Sequence, residues 1–255
     1  MQTHEREINM NDQFIKKIDV DWSKISINSY LKRINSIKNM NTLVFNKPIT
    51  FFVGENGSGK STLLEAIAVE YGFNPEGGTK NYHFSTYDSH SELCNAIRIT
   101  KGICRPKCGY FLRAESFYNV ATKEEEYADI AHPSEKYHER SHGESFLSVA
   151  QNYMKSNGIY IFDEPEAALS PQRQLTLLID IYMCSKKGSQ FIIATHSPIL
   201  LGIPNADIYS FNDEEIHLCK YEETDSYVIT EMFINNRNNL LHKLLNEKDG
   251  FYNNK

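Results

Sequence analysis

Lysine, hydroxyl and paired carboxylates are the groups that phosphoryl transfer uses, and this chain carries them at telling positions. Residues 54–62 read Gly54, Glu55, Asn56, Gly57, Ser58, Gly59, Lys60, Ser61 and Thr62, a complete Walker A phosphate loop. Its glycines let backbone N–H groups curl around phosphate oxygens, and a following helix N-terminus adds partial positive charge. Lys60 is placed to reach the β- and γ-phosphates and the Ser61 hydroxyl to ligate Mg²⁺. The motif needs a strand before it and a helix after it. An apolar run from Ile49 to Val53 and a helical pattern at Leu63, Leu64, Ile67 and Ala68 supply both. A chance glycine-rich turn does not require those neighbours, so the pattern predicts a nucleoside triphosphate ligand.

A second motif, Ile159-Tyr160-Ile161-Phe162-Asp163-Glu164, is an apolar strand ending in two acids, a Walker B element. At a strand's carboxyl end Asp163 would hold Mg²⁺, directly or through water, and Glu164 would orient and deprotonate an attacking water. Two acids at a strand end also occur simply as a solvated terminus, and the phosphate loop upstream is what tips the reading. Two further stretches complete the set: Ser141-His142-Gly143-Glu144, and Ala194-Thr195-His196-Ser197 after the apolar Ile192-Ile193.

In chain order, Walker A, then Ser141 to Glu144, Walker B, Ala167-Ala168-Leu169-Ser170 and the strand-terminal His196, the chain resembles the ATP-binding-cassette (ABC) ATPase family. The spacings of Ser141 and His196 about Asp163 agree with that family, and the resemblance covers residues ~42–201, about 60% of the chain. It implies a P-loop α/β head that hydrolyses ATP with Mg²⁺ as a dimer, each ATP lying between one Walker A and the partner's signature. Ser141 and Gly143 would then touch the γ-phosphate on the other subunit, with the N-terminus of a helix beginning near Glu144 pointing at it. His196 would be the switch residue, bonding the γ-phosphate and holding Glu164 and the water in line; the alternative is a satisfied core histidine.

Two departures stand out. The family carries a glutamine between Walker A and the signature that completes Mg²⁺ coordination, and no Gln occurs between residues 63 and 144. The segment Phe111-Leu112-Arg113-Ala114-Glu115-Ser116 is the nearest substitute, with Glu115 or Ser116 as an oxygen donor, or with both as ordinary surface residues. Ser170 and His142 stand where the family often has Asp and Gly. The phosphate loop with its Leu-Leu-Glu-Ala-Ile continuation, the Ser-x-Gly-Glu signature, Asp-Glu-Pro-Glu and Thr-His-Ser-Pro look most like the SMC and RecF branch and the small stand-alone bacterial ATPases near it. Only about 80 residues separate Walker A from the signature, without heptads, so the chain can be a head but not a coiled-coil arm. That branch implies work on DNA in repair or defence. A permease-coupled transport subunit and a nucleotide-dependent regulator of an effector protein remain open.

Around these motifs, strands are predicted at 13–20, 42–45 and 49–53, then a helix to Tyr71-Gly72. Residues ~80–155 read as an α-rich insertion, with helices near 89–98 and 144–155 and a mixed stretch over 109–120. From Gly158 the strand–helix alternation resumes. A helix over 171–186 has apolar spacing at Leu175, Leu178, Ile179 and Tyr182, and late strands fall at 207–211 and 215–221. A polar C-terminal helix follows over about 235–247. The prediction is one domain, with a core of 13–79 and 156–235 forming a mostly parallel sheet flanked by helices, an N-terminal antiparallel element, the inserted subdomain and a tail from ~235.

At 255 residues, 40% hydrophobic and 24% charged, the chain can bury a core, and no apolar run reaches bilayer-spanning length. Five cysteines (94, 104, 108, 184 and 219) behind a polar N-terminus predict reduced thiols and a cytoplasmic protein, with zinc at Cys104 and Cys108 a minor alternative. A net charge of −6 argues against an extended nucleic-acid surface. A basic cluster at Arg98, Lys101, Arg105 and Lys107 would still suit phosphate contacts, or be a solvated face. Trp22 and Tyr30 are open both to stacking on adenine and to ordinary packing.

Overall fold

A computed structural model describes residues 13–80, 91–115, 142–212 and 214–252, giving backbone alone for 142–146 and 246–252. Two sheets organise it. Strands β1 (Ile15–Val20), β2 (Thr42–Val44) and β4 (Ile97–Lys101) form an antiparallel sheet of order β2-β1-β4. The larger sheet contains β3 (Ile49–Gly54), β5 (Cys108–Arg113), β6 (Gly158–Asp163), β7 (Gln190–Ala194), β8 (Ala206–Phe211) and β9 (Ile216–Cys219), in the order β5-β6-β7-β3-β8-β9. All its pairings are parallel except β8–β9.

Both faces of this sheet are covered, which is why its strands read as unbroken apolar runs. Phe52, Ile161 and Ile192 point into one core with Leu63, Leu64 and Ile67 of α2 (Lys60–Tyr71) and with Ile15 and Ile18 of β1. Alternate residues Phe51, Phe162, Phe191 and Ile193 point into a second core with Val149 of α4 (His142–Tyr153) and Leu177 and Ile181 of α5 (Pro171–Ser185). The α2 helix is thus held between the two sheets. Gln190 ties them together: its buried side chain accepts from Ile15 N and donates to Ile15 O, both at 2.8 Å.

Five expectations need correction. The segment before β2 is not merely a polar connection: it contains a short helix α1 (Asn35–Lys38). The helix expected near 89–98 shrinks to α3 (Leu93–Ala96), and the chain then enters β4. With β5 in the main sheet, residues 97–101 and 108–113 are sheet strands rather than parts of an α-rich insertion; β-branched and aromatic residues such as Ile97, Ile99 and Tyr110 suit those positions. On α5 the buried residues are Leu177 and Ile181, while Leu175, Ile179 and Met183 are exposed. The C-terminal helix α7 (Asp225–Tyr252) starts earlier than expected, breaks its helical geometry at Asn236 and exposes Ile229 and Phe233, so it is less polar than its composition implied. A four-residue helix α6 (Pro198–Leu201) follows β7. Among the described residues no helix is long and apolar enough to cross a membrane.

Candidate active site

Parallel strands all end at one edge of the sheet, and the loops leaving them converge there. Pairing sets Arg113 beside Asp163 and Asp163 beside Ala194, so β5, β6 and β7 deliver their last residues in a row next to the phosphate loop that leaves β3. That loop turns through Gly57 (φ 83°) and Gly59 (φ 95°) into α2. Gly59 meets two constraints: a left-handed backbone and no room, since a Cβ there would lie 2.5 Å from Ile37 Cγ1. Helix α1 therefore braces the loop, and Ser36 Oγ donates to Ser58 O at 2.6 Å from the same helix.

Lys60 is buried, with Nζ donating to Gly54 O at 2.7 Å and Glu55 O at 2.8 Å. Desolvation lowers its pKa, opposed by the charges of Glu164, Asp163 and Glu166. An anionic phosphate arriving above the loop would stabilise this ammonium further. Next to it, Ser61 Oγ donates to Asp163 Oδ1 at 2.9 Å, so the hydroxyl and carboxylate expected to share a metal ion are already together. Burial pushes the Asp163 carboxyl up to about 6, against the opposing pull of Ser61 and Arg113. Two hard oxygen donors converging from different elements fit Mg²⁺, which keeps several waters and takes few protein ligands.

Glu164 has φ 52°, an uncommon left-handed conformation for a residue with a side chain. Its N–H donates to Ala194 O at 2.9 Å, pinning the turn after β6 to the end of β7. Across the gap, His196 Nε2 lies 3.9 Å from Glu164 Oε1, both side chains being partly open to solvent. The His196 loop is fixed by its backbone: Glu166 Oε1 accepts from His196 N, and Ser197 Oγ donates to Gln174 Oε1 at 2.6 Å while capping α6. The imidazole is left facing the Glu164 carboxylate, a placement a core histidine would not need.

Two site residues escaped the sequence reading. Arg113 Nη1 is 2.6 Å from Glu65 Oε2, and its Nε is 3.8 Å from Asp163 Oδ2, so it links the phosphate-loop helix to the Walker B acid. Glu115, one of the two expected oxygen donors, is 87% exposed and pairs with Arg113 at 3.7 Å among the described residues. The signal was in the same hexapeptide, at the residue that ends β5. Glu166 was legible as the last acid of Asp163-Glu164-Pro165-Glu166. Ser116 and Ser141 lie outside the described residues. Gly143 and Glu144 fall in the first turn of α4, which begins at His142.

Trp22 packs against the core and donates Nε1–H to Met40 O at 3.0 Å, and Tyr30 bonds Ser91 Oγ at 3.0 Å, so each has a packing role. A cavity of about 460 Å³ opens between the loop and α7, lined by Gly54, Glu55, His196, Thr224, Ser226 and Ile229 among others.

A glycine-built phosphate loop at the centre of a parallel sheet, with Walker B acids on a neighbouring strand, defines a P-loop ATPase fold. The model of the AAA domain family matches residues 30–196, and the chain belongs to that family. It is also similar to solved structures: a putative metal-chelate type ABC transporter (18% identity, 84% of this chain and 87% of the other, TM-score 0.45). The SMC head domain from Thermotoga maritima gives 13%, 81%, 98% and 0.43 in the same order. An ATP-binding cassette of an ABC transporter gives 18%, 86%, 96% and 0.45.

Proposed function

We propose that the chain hydrolyses ATP with Mg²⁺ as a cytoplasmic homodimer of the ABC type, each active site completed by the signature of the second copy. The observation that carries this is the convergence of Lys60, the Ser61–Asp163 pair and the Glu164–His196 pair at one sheet edge. Phosphate oxygens replace the carbonyls that Lys60 now bonds. Ser61 and Asp163 would hold Mg²⁺, which when bound would supply positive charge to offset that on the β- and γ-phosphates. Glu164 accepts a proton from the attacking water, and His196 keeps that carboxylate and the γ-phosphate in register. Ser141 and the first turn of α4, from the partner copy, meet the γ-phosphate as backbone and hydroxyl donors. Arg113 stands where the family's glutamine is missing; it acts by holding Asp163 ionised and positioned.

The Glu164→Gln variant tests the reading. ATP binding is expected to survive while turnover falls about 10²–10⁴-fold, the usual worth of a general base. Sedimentation should then show an ATP-dependent dimer. Wild-type turnover in this variant would remove Glu164 from the mechanism.

A further inference from the structure

At the opposite ends of the same strands lies a second concave feature. A pocket of about 350 Å³ opens where β5 and β6 begin, lined by Lys80, Lys107 and Lys155 together with Cys108 and Tyr153. The basic stretch noted in the sequence only partly contributes. Arg98 turns to the acids Asp19 and Asp21 on and after β1, whereas Lys80 and Lys155, distant in sequence, join the group.

Lys80 Nζ sits 3.8 Å from the centroid of the Tyr71 ring, and Lys101 Nζ stands 4.9 Å from that centroid. Arg105 is close enough to act electrostatically on the Tyr71 hydroxyl. Partial burial against these rings, and then repulsion from Lys101, bring the Lys80 amine down to about 8, although the residue keeps an open face to solvent. Its neighbours are Tyr71 from α2, whose carbonyl accepts from Nζ at 3.0 Å, Phe73 beyond α2, Lys101 from β4, and Lys107 and Cys108 at the start of β5. Among the described residues none of these five cations has an acidic partner, while carboxylates pair with Lys17, Lys47 and Arg113 elsewhere.

Like charges gathered around an aromatic floor, in a chain with net charge −6, are an arrangement that an anion would relieve. A volume near the lower end of small-ligand pockets suits a compact molecule rather than a duplex. Lysines recognise phosphate as point charges. Helix α2, ~18 Å long at 1.5 Å per residue, begins at Lys60 and ends at Tyr71, so it separates this pocket from the phosphate loop.

We propose that the pocket formed by Lys80, Lys107 and Lys155 is a second anion site, taking a compact, multiply charged phosphate group. The proposal does not depend on hydrolysis at the first site.

The test is calorimetric titration with inorganic tripolyphosphate of the Lys60→Ala protein, in which the phosphate loop is disabled. Saturable binding is expected, weakened at least about tenfold when Lys107→Glu and Lys155→Glu are added, and weakened by added salt. The double Gln variant, with a thermal unfolding curve to show that it folds, should lose affinity in the same direction. Equal affinity with and without the lysine substitutions, or no binding to the Lys60→Ala protein, would overturn the proposal. A 5′-phosphorylated oligonucleotide bound more tightly than its unphosphorylated twin would assign the phosphate to a nucleic-acid end. Tripolyphosphate binding without that preference would assign it to a free compound; both results support the site.

Discussion

Asp163 carries a conflict at the residue scale. Its carboxylate must be ionised to hold a metal ion, yet burial raises its pKa to about 6 from an ordinary 3.8. The raised value has a definite sign in linkage. Below the ordinary value both folded and unfolded chains are protonated here and the favourable contribution is complete. It is lost as pH rises through about 6, so the nucleotide-free fold gives up stability at this residue between pH ~4 and ~6. Metal-nucleotide binding runs the other way: affinity is expected to fall as pH drops below about 6, by up to ~10-fold per unit. Removing Arg113, which lowers the Asp163 pKa, should move the midpoint to higher pH, as titration of a fluorescent nucleotide at several pH values would show. An unmoved midpoint in Arg113→Ala would mean that the 3.8 Å approach has no electrostatic consequence. The acids Asp163 and Glu164 were legible because a Walker B element is local in sequence. Arg113 was not, because its role comes from the pairing of β5 with β6, and that register is set by tertiary packing rather than by any short motif.

For the elements, α5 shows how an apolar pattern can name a helix and leave its rotation undecided. Leu175, Leu178, Ile179 and Tyr182 sit at valid helical spacing, and Leu178 and Tyr182 pack partly against the core, but Leu177, Ile181 and Ser185, at equally valid spacing, are the buried residues. With apolar residues around much of the circumference, periodicity fixes the helix and leaves its rotation to the sheet beneath it. The two faces are separable by experiment. Ile181→Ala removes a fully buried side chain and is expected to cost ~2–5 kcal/mol in denaturant unfolding, whereas Ile179→Ala, at 58% exposed, should stay within ~0.5 kcal/mol. Equal costs would contradict the observed rotation of α5. Helix α1 was illegible in the sequence. Its residues Asn35 to Lys38 gave no amphipathic signal over four positions, yet Ile37 lies against Gly59 so closely that Gly59→Ala must displace it. That substitution combines a left-handed backbone with a Cβ contact of 2.5 Å, and should lower both thermal stability and nucleotide affinity. The strands β3, β6 and β7 were legible to within a residue at one end, since strands buried on both faces read as continuous apolar runs.

For the whole molecule, Walker A, Walker B and His196 assemble within one chain, while Gly143 and Glu144 sit in the first turn of α4, on an element that does not contribute to the row formed by Arg113, Asp163 and Ala194. The account therefore makes the active site a property of two copies in a closed, symmetric arrangement. Subunit mixing tests this claim most directly. Lys60→Ala disables the phosphate loop, Ser141→Arg disables the signature, and each variant alone should form inactive homodimers. In a heterodimer of the two, both lesions fall in one site and the other site is intact. Equal mixing should thus restore ATP turnover to about a quarter of the wild-type value, because half the dimers carry one good site out of two. Turnover that stays at the level of the separate variants, with wild-type protein active under the same conditions, would contradict the composite site.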